Sequence, residues 1–249
     1  MLTQPLLDKL TQLRLPAFRA ALEEQLCNPH YADLSFEDRL GLLVDRECTH
    51  RGSSRLQRRL KAAGLHLPAT IEDLDLSPSR GIDRHLVLQL AQGEWIGQHL
   101  NILILGATGV GKTFLACALA HAACRHNFTV RYQRTSRLLH QTTLSHADGS
   151  YPALLDALAR VQLLVLDDWL RDPLTRIQSQ DLLEILDDRY GRSSTTVVTQ
   201  VPVAEWHARF PDPTIADAIL DRLVHNAYRL DLRGESRRKI NSSLTMPTT

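Results

Sequence analysis

Gly106-Ala107-Thr108-Gly109-Val110-Gly111-Lys112-Thr113 is the stretch whose reading decides the fold. It matches G-x-x-x-x-G-K-[ST], the pattern of a loop that cradles phosphate groups. Before it stands the apolar run Ile102-Leu103-Ile104-Leu105, and after it an alanine-rich helical run over residues 114–123. That is the strand–loop–helix setting the pattern requires. Without side chains, Gly106 and Gly111 let the backbone approach an anion closely. The loop amides and the start of the following helix then point at the phosphates. Lys112 supplies a point charge for the β and γ oxygens, and Thr113 a hydroxyl for Mg²⁺. The stretch implies a bound nucleotide with its Mg²⁺.

Outward from this loop, apolar runs alternate with helical segments. The spacing predicts strands at 101–105, 129–133, 162–167, 195–200 and 228–232, with a helix at about 82–92 leading in. Such alternation predicts an α/β fold, a doubly wound parallel five-stranded sheet covered by helices on both faces. Residues 142–150, rich in Thr, Ser and His with a Gly, read as a loop.

The run Leu163-Leu164-Val165-Leu166 ends in Asp167-Asp168. A continuous apolar run suits a central parallel strand, and ligands bind beyond the carboxyl ends of such strands. Asp167 is placed to hold Mg²⁺ through water, and Asp168 to orient or deprotonate the attacking water. GTPases need an Asn-Lys-x-Asp base-reading motif, which this chain lacks. An acid beside the metal ligand resembles the AAA+ ATPases instead. In an AAA+ sheet the strand ending Val198-Thr199-Gln200 would lie between the two nucleotide-motif strands. Thr199 would then face the γ-phosphate in the sensor 1 role; Gln200 is the alternative, and strand termination before Pro202 a third reading. Asp212-Pro213 opens a helix, with an acidic cap and Pro in the first turn. That helix carries Arg222, which resembles an arginine finger reaching a neighbouring subunit's ATP; the plainer reading pairs it with Asp221 or Asp217. Of Arg237, Arg238 and Lys239, Arg238 is the candidate sensor 2 residue, against a solvated basic tail.

Residues 1–67 read as a small all-helical N-terminal domain. Leucines recur at helical spacing from Leu2 to Leu13, Pro16 restarts a helix, and Pro29 stops it. Ser35-Phe36-Glu37-Asp38 resembles a capping box for a helix to about Thr49, with a further short helix at 55–63 closed by Gly64. Residues 68–81, with Pro68, Pro78, Ser77, Ser79 and Gly81, read as a linker. The nucleotide domain then covers 82–241, and 242–249 read as a disordered tail. A net charge of +1 over 249 residues announces no nucleic-acid partner. Still, 25 of the 29 basic residues are Arg, which suits bidentate phosphate contact, although codon bias gives the same count. No signal peptide or membrane-spanning run is visible, so a cytoplasmic protein without a membrane partner is expected. Cys27, Cys48, Cys117 and Cys124 form no C-x-x-C pair and read as reduced core cysteines.

Taken together, these residues resemble the IstB/DnaC-type branch of AAA+ ATPases, above all the transposition helpers encoded beside a transposase in one class of bacterial insertion sequences. The resemblance is carried by 35–40 with 43–47, by 106–120, by 212–225, and by Gly234-Glu235-Ser236 with Arg238-Lys239. It spans roughly residues 1–240. It implies an ATPase that forms a homo-oligomer on double-stranded DNA and helps a cognate transposase reach its target. The alternative within the branch is a DnaC-like replicative helicase loader; a small-molecule kinase lacks a recognisable lid or acceptor site. Two departures stand out. The family's Thr-Ser-Gln is here Val198-Thr199-Gln200, which keeps a hydroxyl. Its Asp-Asp-Phe-Gly is here Asp167-Asp168-Trp169-Leu170, which loses a glycine.

Two acid-free basic stretches are candidate DNA contacts. One carries Arg51, Arg55, Arg58, Arg59 and Lys61; the other, over 112–147, carries Arg125, Arg131, Arg134 and Arg137. A stripe of arginines along a helix suits phosphates and reads little sequence; a solvated charged face looks the same.

Overall fold

The computed structural model describes residues 3–234. The chain divides into two compact units, Met1–Arg58 and Arg59–Thr249.

In the first unit, helix α1 (Thr3–Gln12) is followed by α2 (Pro16–Cys27) and by α3 (Phe36–Ala63), which runs on past the unit boundary. Leu7, Leu10 and Leu43 are buried. The start of α2 is capped from a distance: the Glu47 carboxylate accepts the Ala17 and Phe18 amides, each at 3.0 Å. Those N–H groups have no partner within their own helix. Half of the predicted capping box is present: the Asp38 amide donates to Ser35 Oγ at 3.1 Å, but the Asp38 carboxylate accepts the Ser35 hydroxyl at 2.8 Å rather than its amide. The predicted break between 49 and 55 is absent, because α3 passes unbroken through Gly52-Ser53-Ser54. A mid-helix glycine costs about 1 kcal/mol, which does not end a helix supported on both sides. Gly64, at φ +62°, ends it as the sequence indicates.

The second unit is built on a five-stranded parallel sheet in the order β2-β3-β4-β1-β5. Its strands are β1 (Asn101–Gly106), β2 (Val130–Arg134), β3 (Leu163–Asp167), β4 (Ser194–Thr199) and β5 (Ala227–Leu232). Every one lies within a residue or two of its predicted bounds. β3 and β4 are buried along their whole length, as strands covered on both faces must be. The connecting helices are α4 (Arg84–Ala91), α5 (Glu94–Gly97), α6 (Lys112–Arg125), α7 (Thr135–Asp148), α8 (Tyr151–Ala159), α9 (Arg176–Arg189) and α10 (Pro213–Val224). One large core joins Leu103, Leu164 and Val197 of the sheet to Leu182, Ile219, Trp169 and Trp206.

Two expectations need correction. The predicted loop at 142–150 is the last half of α7, ended by Gly149 at φ +78°. Its hydroxyls bond back to the helix, Thr142 to the Leu139 carbonyl at 3.0 Å and Ser145 to that of Thr142 at 2.8 Å, so polar residues sit buried there without breaking it. The predicted linker at 68–81 is packed structure. Ala69 is fully buried with Cys117 and Ala118, against Leu67, Ile71 and Leu74. Prolines and serines mark chain direction, whereas the apolar residues between them decide burial.

Candidate functional site

The loop after β1 curls into the first turn of α6. Gly106 (φ +146°) turns there because a Cβ would meet the Leu232 carbonyl at 2.5 Å. Gly111 (φ +101°) caps α6 in a left-handed conformation closed to most other residues. Lys112 Nζ donates to the Ala107 carbonyl at 2.9 Å, folding the lysine back over the loop.

β3 delivers the carboxylates to the same place. Asp167 is 3 % exposed. Its Oδ2 accepts the Thr113 hydroxyl at 2.9 Å and the Tyr132 hydroxyl, while Oδ1 accepts the Asp168 amide at 2.8 Å. The Asp167 carbonyl accepts Thr135 Oγ1 at 3.0 Å. Burial, and then the bond to Asp167, push the Tyr132 phenol far above its usual range, so it stays a donor. Tyr132 is a site residue the sequence did not reveal; its place at the middle of β2, paired with Val165, is visible only in the register.

Thr113 and Asp167, predicted metal residues 54 positions apart, are thus in direct contact. A hydroxyl beside an oriented carboxylate is an all-oxygen donor set. It fits Mg²⁺, which takes one or two protein oxygens and completes its shell with phosphates and waters.

Asp168 stands beside this pair, half-exposed, at φ +55°. Left-handed backbone in a non-glycine residue is strained and concentrates at functional sites. Arg134 Nε lies 3.8 Å from its carboxylate, and the same guanidinium is 3.0 Å from His66 Nε2. Leu170, wholly buried, adopts the left-handed conformation that glycine favours (φ +52°).

The sensor expectation changes. β4 does lie between β3 and β1. But Thr199 Oγ1 donates to the Trp169 carbonyl at 2.7 Å and accepts the Val201 amide at 3.0 Å, so its hydroxyl is committed to the backbone. Gln200, exposed, contacts the Thr108 hydroxyl across the phosphate loop. Of the two, Gln200 is the side chain held at the loop.

Arg222 lies at the other edge of the sheet. Its carbonyl accepts Asn101 Nδ2 at 2.9 Å, at the start of β1, whereas the phosphate loop follows the end of β1. Five strand rises separate these edges by roughly 16 Å. Its guanidinium pairs with Asp187, not with Asp217 or Asp221, and lies 5.9 Å from the Tyr190 ring centre. Arg238 lies outside the described residues.

Among the candidate DNA contacts, Arg51 is tied to Glu47 at 2.8 Å and to the Arg14 carbonyl at 2.9 Å, and Arg125 to Glu72 at 2.7 Å. Arg51 therefore caps and braces its own unit, which a stripe on a helical wheel cannot show. Arg55, Arg58 and Lys61 are exposed and Arg59 is half-buried. Arg131, Arg134 and Arg137 meet at a cavity of about 620 Å³ shared with His66.

A second cavity, about 580 Å³, is lined by Lys112, Thr113, Asp167, Asp168 and Gln200, by Leu74 and Arg80 of the supposed linker, and by Ile82. A phosphate loop, a strand-end carboxylate pair and this strand order together define an AAA+ nucleotide-binding domain. The chain belongs to the family of IstB-like ATP binding proteins, whose model matches residues 8–245. It is 48 % identical over 239 residues to the insertion sequence ATP-binding protein y4pL of Sinorhizobium fredii, covering 96 % of this chain and 98 % of that one. In fold it is similar to DnaI (TM-score 0.58, 20 % identity, 71 % of this chain and 94 % of that one). It also resembles the DnaC helicase loader (TM-score 0.51, 18 % identity, 71 % and 99 %).

Proposed function

We propose that this protein is an ATP-hydrolysing transposition helper, which oligomerises on double-stranded DNA with ATP and Mg²⁺ and assists a cognate transposase in target selection. The observation that carries the enzymatic part is the Thr113–Asp167 contact with Asp168 beside it. When bound, Mg²⁺ supplies charge neutralisation across the β- and γ-phosphates. Lys112 and the loop amides hold the triphosphate. Asp168 orients a water and takes its proton as the water oxygen attacks the γ-phosphorus and ADP leaves. Gln200 holds the loop's outer side through Thr108. Arg222 is too far from its own phosphate loop to touch it, so as an arginine finger it serves a neighbouring subunit, which makes the site complete only in an oligomer.

The DNA part is supported by the insertion-sequence name of the relative at 48 % identity and by clustered basic side chains, of which Arg55, Arg58, Lys61 and Arg137 are exposed. Arg55, Arg58, Arg59 and Lys61 along α3, and Arg131, Arg134 and Arg137 around their cavity, would neutralise phosphates with little base readout. A helicase loader shares the fold at 18 % identity, a likeness of fold alone. Cys117 and Cys124 are buried as core cysteines, whereas Cys27 and Cys48, expected there too, are exposed; all four, free, fit a reducing cytoplasmic setting. Among the described residues no helix is long and apolar enough to cross a membrane.

The test is duplex-DNA binding measured with and without ATP over a range of salt. Binding that requires ATP and weakens steeply with salt is expected. Equal binding without nucleotide contradicts the helper reading.

A further inference from the structure

Arg80 ends a short turn, Pro78–Arg80, in the segment that looked like a linker, and it is 91 % removed from solvent. Burying a guanidinium is costly unless its donors find acceptors. One terminal nitrogen donates to the Val110 carbonyl of the phosphate loop. The head is framed by two left-handed glycines: a Cβ on Gly111 would sit 3.2 Å from one terminal nitrogen, and a Cβ on Gly234 3.1 Å from the other. The Arg80 carbonyl accepts the Arg233 amide at 2.8 Å, which pins the residue to the exit of β5. Yet Nε, fully buried, has no hydrogen-bond partner. A buried donor of this kind is rare in folded proteins and calls for an acceptor.

The acceptor's place follows from the cavity. Arg80 lines the same space as Lys112, Thr113 and Asp167 and meets the loop at the Val110 carbonyl, whereas the Thr113–Asp167 pair marks the metal end. The same cavity is also lined by Leu74, Ile82, Phe114 and Leu232, apolar walls suited to a flat heterocycle. We propose that Arg80 is a specificity-determining residue for the nucleotide, whose guanidinium donates a hydrogen bond to a ring nitrogen of the purine base. This deepens the ATP-binding reading and rests on it. An arginine has donors only, so it rewards a base that offers a ring acceptor and gains nothing from one that lacks it.

The experiment is calorimetric titration of the full chain with Mg²⁺ and ATP, then with 1-deaza-, 3-deaza- and 7-deaza-ATP. It is run on the wild type, Arg80→Gln and Lys112→Ala. For the wild type, one analogue is expected to bind about tenfold more weakly than ATP, the scale of a hydrogen bond from a charged donor. Arg80→Gln should bind ATP about tenfold more weakly and no longer distinguish that analogue from ATP. A purely structural role would lower the melting temperature but leave the analogue's penalty in place. Melting curves without nucleotide check the fold; should Arg80→Gln not fold, Arg80→Lys, which keeps the charge but moves the donor, takes its place. Three analogues binding the wild type as well as ATP, or a penalty that survives in the variant, overturns the proposal. A wild type that binds ATP no better than Lys112→Ala sinks the ATP-binding reading itself, a different failure.

Discussion

The two edges of the sheet use the same five strands to opposite ends. At the amino edge most polar groups are satisfied by one another, the buried Ser194 hydroxyl apart, which has no partner among the described residues. Asn101 donates to the Arg222 carbonyl at 2.9 Å and accepts the Thr195 amide at 2.8 Å. The buried Arg189 donates to the carbonyls of Leu158 at 2.6 Å and Val161 at 2.8 Å, to that of Ser194, and to Thr195 Oγ1 at 3.2 Å. Burial lowers its pKa to about 10, which still leaves it charged near neutrality. At the carboxyl edge the polar groups are oriented but face a cavity of about 580 Å³, and the backbone is strained at Asp168 and Leu170. A fold settles its polar groups where only stability is at stake, and leaves them facing outward where a ligand must enter. Arg222 is the exception at the amino edge: it is 24 % exposed, and its guanidinium bonds reach Asp187 and its own helix at Ala218.

The largest effect that could break this contrast comes from that exception. Arg222→Ala should leave ATP affinity unchanged and cut steady-state hydrolysis by about 10³-fold or more, as the loss of an arginine finger does. Unchanged turnover would make Arg222 one more satisfied amino-edge residue. Next, Asp168→Asn should slow hydrolysis by about 10²–10⁴-fold while ATP is still retained, read by filter binding beside a phosphate-release assay. Loss of ATP binding instead would mean that the strand end carries affinity and not chemistry. Smaller, and on stability, Arg189→Leu strands buried carbonyls and should cost about 3 kcal/mol or more in urea unfolding, with nucleotide affinity spared in the folded protein. Smaller still is a backbone signature at Leu170. Truncation removes a buried side chain, but glycine relieves the left-handed strain that alanine keeps. Leu170→Gly should therefore be more stable than Leu170→Ala by about 1 kcal/mol. The reverse order would show that the turn carries no strain.

A last prediction concerns the first unit, where the buried Glu47 carboxylate finds its partners in the Ala17 and Phe18 amides and Arg51. The Phe18 amide foremost, with Arg51 and the Ala17 amide, holds the Glu47 carboxyl below its usual range against a partial burial penalty. Since the folded value is depressed, the stabilisation is present above the ordinary carboxylate pKa and is lost as pH falls through the folded one. Between about pH 5 and pH 3 the helical signal of the wild type should lose more melting temperature than that of Glu47→Gln. Parallel losses would show that Glu47 is not the cap.

What the sequence made legible follows the same division. The strands, the phosphate loop and the Asp167–Asp168 ending are coded locally, by apolar runs and by residues adjacent in the chain. The place of β4 between β3 and β1 was expected from family likeness and is observed. Partners distant in sequence were not legible. Nothing near Glu47 indicates that it caps α2, and nothing in Thr199 against Gln200 says which hydroxyl or amide the backbone will claim. Arg80 was hidden because Pro78, Ser77, Ser79 and Gly81 advertise a linker, whereas its guanidinium is placed by Val110, Gly111 and Gly234. The break wrongly expected in α3 at 49–55 and the loop wrongly expected at 142–150 share one cause. Glycine, serine and threonine lower helix propensity by up to about 1 kcal/mol each, and packing on either side outweighs that.

The central claim is that the carboxyl edge holds a nucleoside triphosphate and its magnesium through Lys112, Thr113 and Asp167. Calorimetric titration of ATP into the full chain, with Mg²⁺ and then with a chelator, tests it most directly. Saturable binding that weakens without the metal in the wild type, but is indifferent to it in Asp167→Asn, is the predicted result. No heat of binding with Mg²⁺ present would contradict it.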